Sequence, residues 1–126
     1  MQVELGRRGI VVATAVAVSI FSFIPAAVAG TNGQYSSTSG STAKFFHSGD
    51  YLEVCDTGGD GWSVYAKYFY NGMSTERSTG QWNGGATTCH NFSTGNPAEG
   101  LTVSYRAWLQ VEYAPDKFGT QAAGIA

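Results

Sequence analysis

From Leu101 to Tyr113 the chain alternates with a period of two. Leu101, Val103, Tyr105, Ala107, Leu109, Val111 and Tyr113 are apolar or aromatic. Thr102, Ser104, Arg106, Gln110 and Glu112 between them are polar, and only Trp108 breaks that set. Such alternation buries one face of an extended chain and leaves the other to solvent. The run is long for a single strand, so a bend or a division into two strands is expected within it. Shorter extended runs occupy Lys44–His47, Tyr51–Cys55, Trp62–Tyr70, Ala86–Phe92 and Phe118–Ala122. Between them stand Ser48-Gly49-Asp50, Asp56–Gly61, Asn71-Gly72, Asn83-Gly84-Gly85, Thr94–Gly100 and Ala114–Lys117, all rich in turn-forming residues. Asn71-Gly72 is the strongest hairpin signal, with Met73–Arg77 as its returning strand. Seven or eight strands at roughly ten-residue spacing predict an all-β fold. The expected form is a small antiparallel β-sandwich, immunoglobulin-like or a related Greek key.

The N-terminus follows different rules. Arg7 and Arg8 precede an uncharged run from Ile10 to Ile24, which Pro25 breaks before Ala27-Val28-Ala29. A basic start, a short apolar stretch and small residues at the cleavage positions read as a helical signal peptide over residues 1–29. The apolar run is too short to cross a bilayer core of roughly 30 Å comfortably, which argues for cleavage before Gly30 and against an anchor. Arg7-Arg8-Gly9-Ile10-Val11 also fits a loose twin-arginine pattern, and paired arginines occur in ordinary export signals too. Residues 30–43, nearly all Gly, Ser, Thr and Asn, predict a flexible lead-in. Residues 44–126 then form a single β domain.

Composition narrows the function classes. Charged and aromatic residues each make up 13%, the wrong balance for a disordered chain. Beyond residue 29 there are five basic side chains against eight acidic ones, with no basic run. Nucleic-acid binding, which needs cations to neutralise phosphates, is therefore not expected. Cys55 and Cys89 both lie beyond the export signal. Two cysteines in an exported chain most simply form one disulfide. Without a C-x-x-C pair, and with His90 merely adjacent to Cys89, they make a poor zinc site, and no metal or cofactor is expected.

Candidate chemistry is sparse. Asp56-Thr57-Gly58-Gly59-Asp60-Gly61 is similar to the start of a calcium loop. Gly58 and Lys67 stand where further oxygen ligands belong, so a plain turn is the expected reading. His47 and His90 are the only histidines, and no hydrolase or metalloprotease motif accompanies them, so no enzyme is expected. Asn91-Phe92-Ser93 matches a glycosylation sequon. Aromatic residues remain. Tyr65 and Phe69 share one face of their strand, Trp108 sits among the polar positions of its own, and Trp62 and Trp82 lie beside turns. These five are the candidate binding residues. Their rings would either stack on a sugar or a partner surface, or fill a second buried face.

Gly49-Asp50-Tyr51-Leu52-Glu53-Val54-Cys55-Asp56-Thr57, then Asp60-Gly61-Trp62-Ser63-Val64, then Trp82-Asn83-Gly84 before Cys89 resemble small secreted disulfide-containing β-proteins of actinobacteria. Glu99-Gly100 ahead of the strand holding Arg106 is similar too. The resemblance covers about residues 44–110. It implies a fold and an extracellular location but no active site. Relatives commonly carry a further cysteine pair near the C-terminus, which this chain lacks. The resulting expectation is a secreted, monomeric, non-catalytic module that binds an extracellular glycan or protein, with no membrane attachment after cleavage. A secreted inhibitor of an extracellular hydrolase is the alternative.

Overall fold

A computed structural model of the chain describes residues 29–126. All but the last residue of the expected signal peptide lies outside the described residues. Nine strands follow: β1 Ser36–Ser37, β2 Ser41–Phe46, β3 Tyr51–Asp56, β4 Val64–Phe69, β5 Arg77–Ser78, β6 Thr88–Ser93, β7 Thr102–Leu109, β8 Lys117–Phe118 and β9 Ala122–Ile125. Every pairing is antiparallel, and there is no helix among the described residues. Strands β1-β2-β3-β6 make one sheet and β5-β4-β7-β8 the other, with β9 also on β7. The fold is a β-sandwich, as the spacing of turns predicts.

Period-two patterning explains which side chains lie between the sheets. Strand β7 alternates from Val103 through Tyr105 and Ala107 to Leu109, all buried. Facing it from the other sheet are Ala43 and Phe45 of β2 and Leu52 and Val54 of β3, and Val64, Ala66 and Tyr68 of β4 complete the core. The filling alternates small and large: Ala66 pairs with Ala107 across β4 and β7, beside Tyr68 paired with Tyr105. A close approach is needed at Gly124 of β9, where a Cβ would lie 2.5 Å from the Phe45 ring and 2.9 Å from the Thr31 carbonyl. Only glycine fits there without displacing backbone.

Three expectations need correction. Residues 30–43 are not a lead-in. Thr31 bridges to Ile125, Ser36–Ser37 form β1, and β2 begins at Ser41. Asn71-Gly72 does turn the chain, with Gly72 at φ 102° and the Met73 N–H donating to the Tyr70 carbonyl at 3.2 Å. The return strand forms later than expected, because Arg77 and Ser78 rather than Met73 pair with β4. The last edge strand is two strands: β8 pairs with the C-terminal end of β7, and β9 pairs with its N-terminal half.

Candidate functional site

The disulfide lies within one sheet. Cys55 of β3 and Cys89 of β6 stand directly opposite each other and are bonded. Its position is the solvent-facing side of the four-stranded sheet, where Tyr35, Thr42 and Glu53 line a groove of about 430 Å³ beside it. Glu53 Oε1 approaches Cys55 Sγ to 3.7 Å, a contact and not a hydrogen bond, since the bonded sulfur carries no proton. Glu53, Cys55 and Cys89 place their donor atoms within 4.8 Å of one another. With both sulfurs in the disulfide, only the carboxylate is free to act as a ligand.

The Asp56–Gly61 segment is built as a self-capping turn. Asp56 is fully buried, and its Oδ1 accepts the Gly58 N–H at 3.1 Å and the Gly59 N–H at 3.4 Å. Asp60 Oδ1 accepts the Trp62 N–H at 3.0 Å, and Gly59 and Gly61 hold positive φ. Both carboxylates thus serve the turn that the sequence predicts.

The five candidate aromatic residues separate into two groups. Trp62 and Trp82 are half-buried and pack against the core. The Trp82 indole N–H donates to Thr88 at 3.2 Å, and its ring stacks on His90 at 4.9 Å. His90 in turn meets Phe92 edge-on at 4.6 Å, so this exposed histidine is the middle member of a row of rings along the β6 edge of the sandwich. His47 lies elsewhere and is exposed.

Tyr65, Phe69 and Trp108 come together on the outer face of the five-stranded sheet. Tyr65 and Trp108 are a cross-strand pair, and Trp108 pairs onward with Phe118 of β8. Their centroids are 4.5 Å apart for Tyr65–Trp108 and 5.9 Å for Trp108–Phe118, with planes 28° and 18° from parallel. Tyr65 and Phe118 thus stack against the Trp108 ring from the two strands that flank β7. The flat stacking platform expected of Trp108 is therefore occupied by its own neighbours. The Trp108 indole N–H donates to Asp116 at 3.0 Å, and the Tyr65 hydroxyl donates to Gln110 at 3.1 Å.

Two cations thread this strip. Lys67 Nζ lies 4.9 Å from the Trp108 ring centroid and 5.8 Å from that of Phe118. The Arg106 guanidinium lies 4.3 Å from the Phe118 centroid and bonds Glu76 at 3.2 Å, the one ion pair among the described residues. Beside Arg106 opens a cleft of about 360 Å³ lined by Phe69, Glu76, Ser104, Arg106 and Gln121. That volume is at the small end for ligand sites. Phe69 and Phe118 are the most exposed rings on this face, at 41% and 43%.

Sequence reasoning about sites singled out Tyr65, Phe69 and Trp108 and missed Arg106, Glu76, Phe118 and Gln121. Lys67 and Arg106 were within reach of the same rule, since each is two residues from a named aromatic on its own strand. Glu76 and Gln121 arrive through loop conformation, and Phe118 through the pairing of the two-residue strand β8 with β7, and none of the three carries such a signal. No protein-family model, curated protein or solved structure matches this chain.

Proposed function

We propose that this chain is an exported, non-catalytic binding module whose ligand face is the outer surface of the five-stranded sheet. One observation carries the reading. Aromatic rings, two cations and a cleft with mixed polar lining share a single solvent-facing sheet surface. A concave site with a few convergent polar groups is the usual form of a ligand pocket. Export is supported by the signal-like N-terminus and by the disulfide, which persists in oxidising compartments. The test is a binding screen on purified protein against soluble and insoluble extracellular polysaccharides, with Phe69→Ala beside the parent chain. Retention of a polysaccharide that Phe69→Ala abolishes is the expected result. Retention unaffected by Phe69→Ala would remove this face from consideration.

The inhibitor reading has one observation of its own. Tyr113 is 98% exposed at the tip of the β7–β8 loop and holds φ 61°, a left-handed conformation unfavourable for an aromatic residue. A protruding ring that buries nothing within its own chain suits an anchor for a partner's pocket. Inhibition of a secreted hydrolase that is lost in Tyr113→Ala would favour this second reading.

A further inference from the structure

We infer that the cleft beside Arg106 takes a carboxylated sugar ring, such as a hexuronate unit of an acidic polysaccharide. The inference rests on the proposed ligand face and adds the chemical class of the ligand.

Lys67 of β4 and Arg106 of β7 stand directly opposite each other on the solvent face. Like charges at opposed cross-strand positions destabilise a sheet. The chain has few cations to place beyond its export signal, five against eight acidic residues, yet two of the five meet here. Glu76 answers only Arg106, and through a single contact at 3.2 Å. Lys67 has no carboxylate partner among the described residues. Its ammonium and the Arg106 guanidinium lie over ring faces instead.

Arg106 is also incompletely used. Its Nε is buried without a hydrogen-bond partner, and Glu76 holds only one terminal nitrogen. Guanidinium is built for two parallel bonds to a carboxylate. An exposed ion pair such as Arg106–Glu76 is weak enough for an incoming anion to rearrange. The other acid on this face, Asp116, is taken by the Trp108 indole N–H.

The rest of the lining suits a sugar ring better than a simple anion. Phe69 offers an exposed apolar ring to the C–H face of a pyranose, while Ser104, Gln121 and Glu76 offer donors and acceptors for hydroxyls.

The test is titration calorimetry on protein purified from its native host, using oligogalacturonate, a neutral cello-oligosaccharide and phosphorylated dextran. Oligogalacturonate should bind, with affinity falling as salt rises. Arg106→Gln and Lys67→Gln should each weaken it at least tenfold. Lys67→Gln alters no ion pair, so it keeps the result interpretable if Arg106→Gln lowers the melting temperature. Oligogalacturonate binding unchanged by both substitutions overturns the inference, as does tighter binding of phosphorylated dextran. Binding of the neutral oligosaccharide alone, lost in Phe69→Ala, overturns the acidic ligand and leaves the ligand face standing. Binding of none of the three overturns both.

Discussion

The Ala107 N–H donates to Ser36 Oγ at 2.8 Å, joining two residues that lie on opposite sheets. Ser36 donates onward to the Thr120 carbonyl at 2.6 Å, and its side chain is fully buried. One hydroxyl therefore serves β7, the loop before β9 and the two-residue strand β1. Ser36→Ala leaves a buried amide and a carbonyl without partners, and should cost about 1–3 kcal/mol. Chemical denaturation of the two proteins decides it. A change below about 0.5 kcal/mol would mean that water replaces the hydroxyl, and the proposed strut would be dispensable.

Ser36 also shows where reading the sequence stops working. The residues around it are mostly Gly, Ser, Thr and Asn, a composition that ordinarily marks a flexible linker. Here small polar residues are used because the chain passes under β7 and β9 with no room for larger ones. Gly33 lies against Tyr105, and Gly119 lies against Ser36 and Ser37. Long-range fit of that kind leaves no periodic trace. The core strands leave a clear one. Tyr51–Cys55 and Thr102–Leu109 are extended as their alternation requires, and the odd positions of β7 are its buried ones. The solvent face of β7 was legible for the same reason, through Trp108. The cleft beside it was not, because Glu76 and Gln121 enter it from irregular loops.

The cross-strand disulfide closes a long ring, with a sequence separation of 34. Replacing both cysteines by alanine removes a constraint on the unfolded chain worth about 3–4 kcal/mol. For a domain this size that corresponds to a fall in Tm of at least about 10 °C. Thermal melts with and without reductant should agree with the double substitution. Reactive thiols titrated in the native oxidised protein would be incompatible with the bond.

Tyr105 gives the protein an alkaline limit. Burial raises its phenol pKa above the ordinary value of 10.0, a rise partly opposed by a hydrogen bond with the Phe45 backbone. The folded state therefore keeps its proton after the unfolded chain has begun to lose its own near pH 10. Since the folded state then binds more protons, stability must fall as pH rises through that range. Below it the contribution is complete and independent of pH. Tyr105→Phe should flatten this alkaline decline. It should also lose about 0.5–1.5 kcal/mol at neutral pH, because the hydroxyl donates to the Gln34 carbonyl. An alkaline slope identical in both proteins would assign the effect to other tyrosines.

Tyr113 invites the opposite kind of change. A left-handed conformation costs a residue with a Cβ about 1–2 kcal/mol, whereas glycine loses about 0.5–1 kcal/mol in extra chain entropy on folding. With the ring 98% exposed, almost no packing enters the balance. Tyr113→Gly should therefore stabilise the fold by a few tenths to about 1 kcal/mol. Urea denaturation with an unchanged slope would show it. A loss of stability would mean that the tyrosine ring makes contacts in solution that its exposure does not suggest.

Trp108 and Trp82 allow a comparison on one scale. Both are half-buried indoles whose N–H has a partner, Asp116 for Trp108 and Thr88 for Trp82. Trp82 packs against the core, bridges to Val64 through its backbone and backs His90. Truncation to alanine opens a gap at the sandwich edge, and about 3 kcal/mol is the expected cost. Trp108 touches no core residue from its side of the sheet. What it loses on truncation is two stacked cross-strand contacts, with Tyr65 and Phe118, and the cation over its ring. Those terms are worth about 1–2 kcal/mol together. The order of the two variants is the prediction: Trp82→Ala melts lower than Trp108→Ala, and both melt lower than the parent. If Trp108→Ala were the more damaging, the ring stack on the outer face would be what holds β4, β7 and β8 together. A surface that rigid would then serve mainly to support the sheet, and the case for it as a ligand face would weaken accordingly.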